Sequence, residues 1–245
     1  MLTPFFSVII PTLNEEKYIG QLLDSLVKQT EKDFEVVVVD HQSQDRTREV
    51  ANNFQKQLRL HLTSSLAANV AGSRNIGARQ AQGMYLVFLD ADVTVPTNYM
   101  ETLRQQIRKT NLDFASVRTA HRLLHPFEYL LAWPFAFARY LSVFLGKPYF
   151  SGENIIIKRS VFLVIEGFDE GFALGEDVEL VQRAALKKFK GIFLFNPWYW
   201  GSVRRFEKEG RTKILFYYTK VFFHFILFGH RRKLKQAYKM GGQDE

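Results

Sequence analysis

Two carboxylates, Asp90 and Asp92, follow the apolar run Leu86–Leu89 with only Ala91 between them. A short apolar run ending on a charged pair reads as a buried strand whose end opens to solvent. Side chains at i and i+2 of a strand share one side, so both acids are expected to face one polar centre. Two like charges held there need a counter-charge. A hard divalent cation, Mg²⁺ or Mn²⁺, supplies it through oxygen ligands and keeps positions open for phosphates. In another arrangement one acid takes the metal and the other accepts from a ribose hydroxyl. The plain alternative is a pair of turn-capping aspartates.

The surrounding pattern favours chemistry over capping. "FSVIIP", "FEVVVVD", "LRLHLT" and "MYLVFLD" read as strands. Between them, "EEKYIGQLLDSLVKQ", "SQDRTREVANNF" and "SRNIGARQAQG" read as helices. The first carries its apolar stripe on Ile19, Leu22, Leu23, Leu26 and Val27. Thr12 and Glu15 have capping-box spacing before it, Ser43 or Asp45 is the expected N-cap of the second, and Gly83 the expected close of the third. The unbroken valines of the second strand suit a sheet covered on both faces. Strands alternating with helices predict an α/β fold with a mainly parallel central sheet.

In such sheets, ligands bind beyond the carboxyl ends of the strands. There Ile10 runs into "PTLNE", Val39 into "DHQSQD" and Leu89 into "DAD", so three polar clusters are expected on one edge. The second half predicts a helix over "PTNYMETLRQQIRK", a strand at "DFASVRTA", an aromatic helical stretch at "PFEYLLAWPFAFARYLSVFLG" broken or kinked at Pro134, a strand at "ENIIIK" and a helix at "EDVELVQRAALKKF".

Composition narrows the classes. The 245 residues suffice for one substantial core, and the absence of cysteine excludes disulfides and thiolate metal sites. "MLTPFFSVIIP" lacks a basic leader and its apolar run breaks at Pro11, so it does not read as a signal peptide. The net charge of +8 suits an anionic partner. The Lys and Arg are scattered and no nucleic-acid-binding module signature is present, so nucleic acid is not the expected partner.

Five ordered stretches, "SVIIPTLNEE", "VVVVDHQSQDRT", "SRNIGARQAQGMYLVFLDADV", "FSGENIIIKRSVFLVIEGFDE" and "LGEDVELVQRA", resemble the successive motifs of the family 2 glycosyltransferases over roughly residues 5 to 205. The resemblance implies a GT-A fold, a nucleotide-diphosphate sugar donor and inversion at the anomeric carbon. It matches Pro11, Thr12, Asn14 and Glu15 to the nucleoside-holding loop, Asp40 to the acid that accepts from the base, and Arg74 to the basic residue beside it. It matches Asp90 to the ribose-side member of D-x-D and Asp92 to the metal-bound member, with Mn²⁺ or Mg²⁺ as the cation. Glu176 and Asp177 match the E-D pair whose Asp is the usual base; the plain alternative is two acids favoured by a helix N-terminus. "SVRRFEKEGR" resembles the region that closes over the diphosphate, where Arg204 and Arg205 are candidates to clamp phosphate oxygens. One departure stands out. His41 and Gln42 occupy positions where the family commonly has Asp and Gly, so the resemblance does not settle the base; a UDP-sugar is the first expectation and a GDP-sugar the second.

The expected division is a GT-A domain over 1–210 and an amphipathic C-terminal segment over 211–245. "ILFYYTKVFFHFILF" followed by "GHRRKLKQAYK" sets an aromatic stretch beside a basic cluster, which suits an interfacial anchor on anionic lipid. The expected setting is the cytoplasmic face of a membrane, and the expected acceptor a lipid-linked glycan or polyprenyl carrier. The rivals are a non-catalytic nucleotide-sugar or lipid-binding scaffold, and a pyrophosphorylase-like enzyme. The second would want a Gly-rich, Lys-bearing loop after the first strand, which "PTLNEEKYIG" does not supply.

Overall fold

A computed structural model describes residues 3–120, 126–172, 174–202 and residue 204. Among these residues seven strands form one sheet in the order β3-β2-β1-β4-β6-β5-β7. They are β1 (Phe6–Thr12), β2 (Phe34–Asp40), β3 (Leu60–Ser64), β4 (Tyr85–Leu89), β5 (Phe114–Ala120), β6 (Asn154–Lys158) and β7 (Gly191–Trp200). The helices are α1 (Ile19–Val27), α2 (Thr47–Asn52), α3 (Val70–Gln80), α4 (Tyr99–Thr110), α5 (Pro126–Phe144), α6 (Arg159–Val164) and α7 (Glu176–Leu186). The α/β class and the mainly parallel sheet expected of a GT-A fold are both present.

Strand alternation sorts the core into two layers. Val8, Ile10, Val36, Val38, Val87 and Leu89 face one side, with Leu22, Leu23 and Leu26 of α1 and Leu103 of α4. Ile9, Val37, Val39, Leu86 and Phe88 face the other, with Ala71 and Ala78 of α3, Phe162 of α6 and Leu180 and Val181 of α7. Alternate residues thus bury in opposite directions, which is why these strands read as continuous apolar runs.

Helix α3 has small residues on the face toward the sheet, and this lets it lie close. A Cβ added at Gly77 would stand 2.5 Å from Ile9 Cγ2 and 2.9 Å from Val39 Cγ2. Gly77→Ala is therefore expected to push the helix off the sheet and cost about 1–3 kcal/mol despite alanine's better helix propensity, read as a lower urea midpoint with an unchanged slope.

Several local expectations are corrected. Thr12 lies inside β1, and α1 begins only at Ile19 with Tyr18 at its N-cap and no side-chain cap. Thr12 and Glu15 form no capping box, because the Glu15 N–H donates to Thr47 Oγ1 (2.7 Å) and its carboxylate is engaged elsewhere. Neither Ser43 nor Asp45 is the N-cap of α2; Arg46 holds that place, with no side-chain cap. The Ser43 hydroxyl accepts from Asn14 N (2.9 Å), and Asp45 accepts from Thr47 N (2.9 Å) and Glu16 N (3.0 Å). Helix α3 starts before Ser73, capped by Asn69 accepting from Gly72 N (3.0 Å), and ends at Gln80 rather than at Gly83. Of the break or kink expected at Pro134, the break does not occur: Pro134 lies inside a continuous α5. Sequence reading missed α6 and β7; β7 is interrupted by polar and proline residues at Asn196-Pro197 and shifts register against β5 between Val117 and Arg118.

Strand β6 runs antiparallel to both β4 and β5. Leu89 at the end of β4 pairs with Asn154 at the start of β6. The segment entering β6 therefore reaches the sheet edge at which β1, β2, β4 and β7 leave. Among the described residues no helix is long and apolar enough to cross a membrane. The proposed C-terminal segment 211–245 lies outside the described residues.

Candidate functional site

The site is built on that edge. Thr12 and Asp40 are register partners at the ends of β1 and β2. Asp40 is fully buried and accepts from Ser43 N (3.2 Å), with Thr12 Oγ1 at 3.4 Å from one of its oxygens and Arg48 Nη1 at 3.3 Å from the other. Pro11 lies one residue earlier on β1, opposite Val39. After β1 the chain turns through Asn14, which adopts a left-handed conformation (φ 54°) that asparagine tolerates better than most residues. Asn14 Oδ1 accepts from Gln44 N (2.9 Å), so the loops after β1 and β2 are laced together.

Strand β4 stops at Leu89, and a backbone bond from Val93 N to Asp90 O marks a turn. Asp90 and Asp92 stand on this turn and not on the strand, so strand alternation does not orient them. Each has its own arginine. Arg74 Nη2 donates to Asp90 Oδ1 (2.9 Å), and Arg204 Nη2 lies 3.3 Å from Asp92 Oδ2.

Arg74 is the centre of the site's charge. Its guanidinium is 3% exposed and also donates from Nη1 to Glu176 Oε1 (2.7 Å) and from Nη2 to the Gly152 carbonyl (3.2 Å). Burial alone would lower its pKa, but the charges of Asp90, Glu176 and Asp177 more than reverse this, so it stays charged. The expectation that Arg74 stands beside Asp40 is corrected: its partners are Asp90, Glu176 and Asp177, and the arginine beside Asp40 is Arg48. Arg74 reaches from α3 to the β4 turn and α7, whereas Arg48 stands in the first turn of α2, the helix after β2.

Glu176 and Asp177 open α7 after Gly175, whose left-handed backbone (φ 82°) makes the entry turn. Asp177 Oδ2 accepts from Gly152 N, and Oδ1 from Val178 N (2.8 Å). Burial, and then the Glu176 charge, push the Asp177 carboxyl up to about 7, against the lowering effects of Arg74 and the two N–H donors.

The second acid cluster surrounds Arg204. Its Nη1 lies 3.1 Å from Glu15 Oε2, and its guanidinium packs 5.2 Å from the Tyr18 ring. Burial raises Glu15 to about 7, opposed by Arg204. Asp92 is raised as well, by burial and then by Asp90, with Arg204 and the Ser202 hydroxyl pulling the other way. Arg205 lies outside the described residues. Among the described residues no group of three or more His, Asp or Glu side chains forms a metal cage.

The predicted residues thus fall into three linked groups. Arg74 joins Asp90 to Glu176 and Asp177, Arg204 joins Glu15 to Asp92, and Asp90 and Asp92 share one turn. Thr12 and Asp40 end the adjoining strands, and Asn14 stands in the loop after β1. Sequence reading missed Gly152, whose N–H donates to Asp177 and whose carbonyl accepts from Arg74, as well as Thr47, Ser202 and Asn75. Gly152 had a visible signal in "SGEN" entering a strand; the reversed direction of that strand, which brings it here, had none.

The sequence profile of the family described as "Glycosyl transferase family 2" matches residues 7–165. The poly(ribitol-phosphate) beta-N-acetylglucosaminyltransferase TarS of Staphylococcus aureus (strain Mu50) is 45% identical over 92 residues, which are 36% of this chain and 16% of that protein. The uncharacterized glycosyltransferase EpsJ of Bacillus subtilis (strain 168) is 30% identical over 113 residues, 46% of this chain and 33% of that protein. The chain therefore spans a third or less of these two relatives. In overall shape it is similar to S. aureus TarS 1–349 in complex with UDP-GlcNAc, with a TM-score of 0.67 at 23% identity over 80% of this chain and 58% of that one. It is similarly close to the mannosyltransferase PcManGT from Pyrobaculum calidifontis in complex with GDP-Man and Mn²⁺, with a TM-score of 0.68 at 23% identity over 83% and 58%. At these identities the structural likeness speaks to the fold alone, but the family profile covers well over half of the chain, from β1 through β6: the chain belongs to the family 2 glycosyltransferases.

Proposed function

We propose that the chain transfers a sugar, with inversion, from a nucleotide-diphosphate sugar to an acceptor hydroxyl. The observation that carries this reading is the junction at Arg74, which sets a D-x-D turn beside an E-D pair on the sheet edge where ligands bind. Asp177 is the proposed base. Its raised pKa matches a group that must take a proton near neutral pH, and the Gly152 and Val178 N–H groups fix its orientation. The loops after β1 and β2, with Thr12, Asn14 and Asp40, are the proposed seat of the nucleoside. Arg204 is the proposed contact for the diphosphate, released toward it from Glu15 and Asp92.

Asp92 is a fitting holder for a divalent cation, with Asp90 alongside. It is an acid destabilised by burial and by a like charge, and already turned to a cation in Arg204. Among the described residues there is no cage of three side chains, so Asp92 and Asp90 would be the carboxylates that hold the ion, leaving it open to phosphate oxygens, as is usual for Mg²⁺ and Mn²⁺. When bound, the ion would neutralise charge growing on the leaving diphosphate.

The relatives' names include a UDP-GlcNAc complex and a GDP-Man complex, and both donors are candidates here. A UDP-sugar is the first choice. A hydroxyl on a lipid-linked glycan, met at a membrane surface, fits the chain's excess of positive charge and its aromatic, basic C-terminal sequence. Thermal-shift titration and donor turnover with UDP- and GDP-sugars, each with and without Mn²⁺, test the reading. Stabilisation by one donor class, strengthened by Mn²⁺, is expected; no stabilisation and no turnover with either class would overturn it.

A pH dependence follows. A base works only when ionised, so kcat/KM is expected to rise with pH through about 7, the value to which Asp177 is pushed. Glu176→Gln removes one charge that raises it, and the rising limb should move to lower pH. A pH–rate profile on both proteins checks this.

A further inference from the structure

Three consecutive residues of α3 reach three parts of the site. Ser73 Oγ lies 2.9 Å from Ser65 Oγ, and the Ser65 N–H donates to the Asp40 carbonyl (2.7 Å). Arg74 joins Asp90 to Glu176. Asn75 turns to the loop before α7: its Oδ1 accepts from Phe168 N (2.9 Å), and its Nδ2 donates to the Phe168 carbonyl (2.9 Å) and to Glu170 Oε1 (2.9 Å). Only one orientation of the amide serves all three bonds. The reverse would face a donor with a donor and two acceptors with an acceptor.

Holding both the N–H and the carbonyl of one residue fixes its backbone in place. The Phe168 ring then lies 5.5 Å from the Arg74 guanidinium and 5.1 Å from Phe88, edge to face. Gly167, at φ 70°, comes so near that an added Cβ would stand 2.6 Å from Asn75 Oδ1. On its other side the same loop is tied to α7, where Arg183 Nη2 donates to the Gly167 carbonyl (2.6 Å). Helix α3, the loop and α7 are thus linked in series, and α7 carries the acid pair at its first turn.

We propose that Asn75 is a positioning residue for that pair: by holding Phe168 and Glu170 it sets where α7 presents Glu176 to Arg74 and Asp177 to Gly152. The role rests on the reading of Asp177 as the base. Asn75 itself is 8% exposed and spends its amide on the loop, so it acts through the loop and not on substrate.

Asn75→Asp keeps the acceptor but replaces the donor with a carboxylate oxygen facing a carbonyl and the Glu170 carboxylate. Adding Glu170→Gln restores a donor against the new charge. With a displacement on the ångström scale, the single variant should lose about 100-fold in kcat while its donor affinity, measured by calorimetry, stays unchanged. The double variant should recover most of the loss. The exposed Glu170→Ala, which leaves the buried amide intact, should show the same split to a smaller degree and guards against a single variant that fails to fold. Hydrogen exchange over residues 166–178 should quicken in Asn75→Asp and return in the double variant. Loss of donor affinity in step with kcat, or an unchanged kcat, overturns the proposal. Unchanged exchange overturns it whether or not any donor is turned over, so its failure is separable from failure of the assignment of Asp177.

Discussion

Asp177→Asn is expected to remove sugar transfer and leave donor binding in place. The substitution conserves shape but cannot accept the proton of an attacking hydroxyl. General-base assistance of this kind is worth about 10²–10⁴-fold, so kcat should fall by that amount, with donor Kd within the error of wild type. Two features make the outcome informative. The side chain is held by Gly152 N and Val178 N, and the amide oxygen can still accept one of these bonds, so the local fold should survive. The residue also adds to the charge around Arg74, and losing it still leaves Asp90 and Glu176 as that arginine's partners. Equal transfer by Asp177→Asn would refute the base assignment. Loss of donor affinity would instead place Asp177 in the donor site.

Arg74→Met is expected to give the largest change in stability. The side chain is close in volume, but the cation disappears from among three acids. Breaking a buried pair by removing one partner costs about 3–5 kcal/mol, because the remaining charge is left uncompensated. For a chain of this size that corresponds to a melting temperature lower by about 10 °C. The sign with pH follows from the acids. At neutral pH the ionised carboxylates repel one another in the folded chain and separate on unfolding. As the pH falls they bind protons more readily in the folded variant than in the unfolded one, and the deficit shrinks. Arg74→Lys should recover only part of the loss, since a single ammonium cannot reach two acids from two nitrogens as Arg74 does at 2.7 and 2.9 Å. Urea unfolding of the three proteins at pH 5 and pH 8 checks the ranking. A deficit in Arg74→Met that does not depend on pH would mean that packing, not charge, is what the arginine supplies.

The parts of the fold that could be read from the sequence were those set by local pattern. The valines of β2 and the stripe of α1 follow one period each, and burial then keeps them where the period puts them. The convergence of the β1, β2 and β4 ends followed from strand direction alone. What escaped was set by partners distant along the chain. "ENIIIK" reads the same in either direction, so nothing in it announces that β6 reverses and carries Gly152 to the acids. Strand β7 alternates poorly around Asn196 and Pro197, and its place comes from β5. Thr12 and Glu15 matched a capping pattern, yet Glu15 is claimed by Thr47 and Arg204, residues far away in sequence. The candidate acids were legible as types at strand and helix ends. Which arginine each would meet was not, because a guanidinium on α3 can reach in several directions and only the packed helix selects one.

Strand β5 ends, and β6 begins, at the rim that bears the acids, and the two strands are neighbours in the sheet. The described part of the connection between them, residues 126–153, therefore brings the chain back to the rim at which β5 ends. Its two ends are pinned at neighbouring strands, so its length can change without altering the spacing between β1, β2 and β4, provided that Arg139, Phe150 and Gly152 keep their buried places. Variation in what meets the acids can enter there while the loops after β1 and β2 stay as they are.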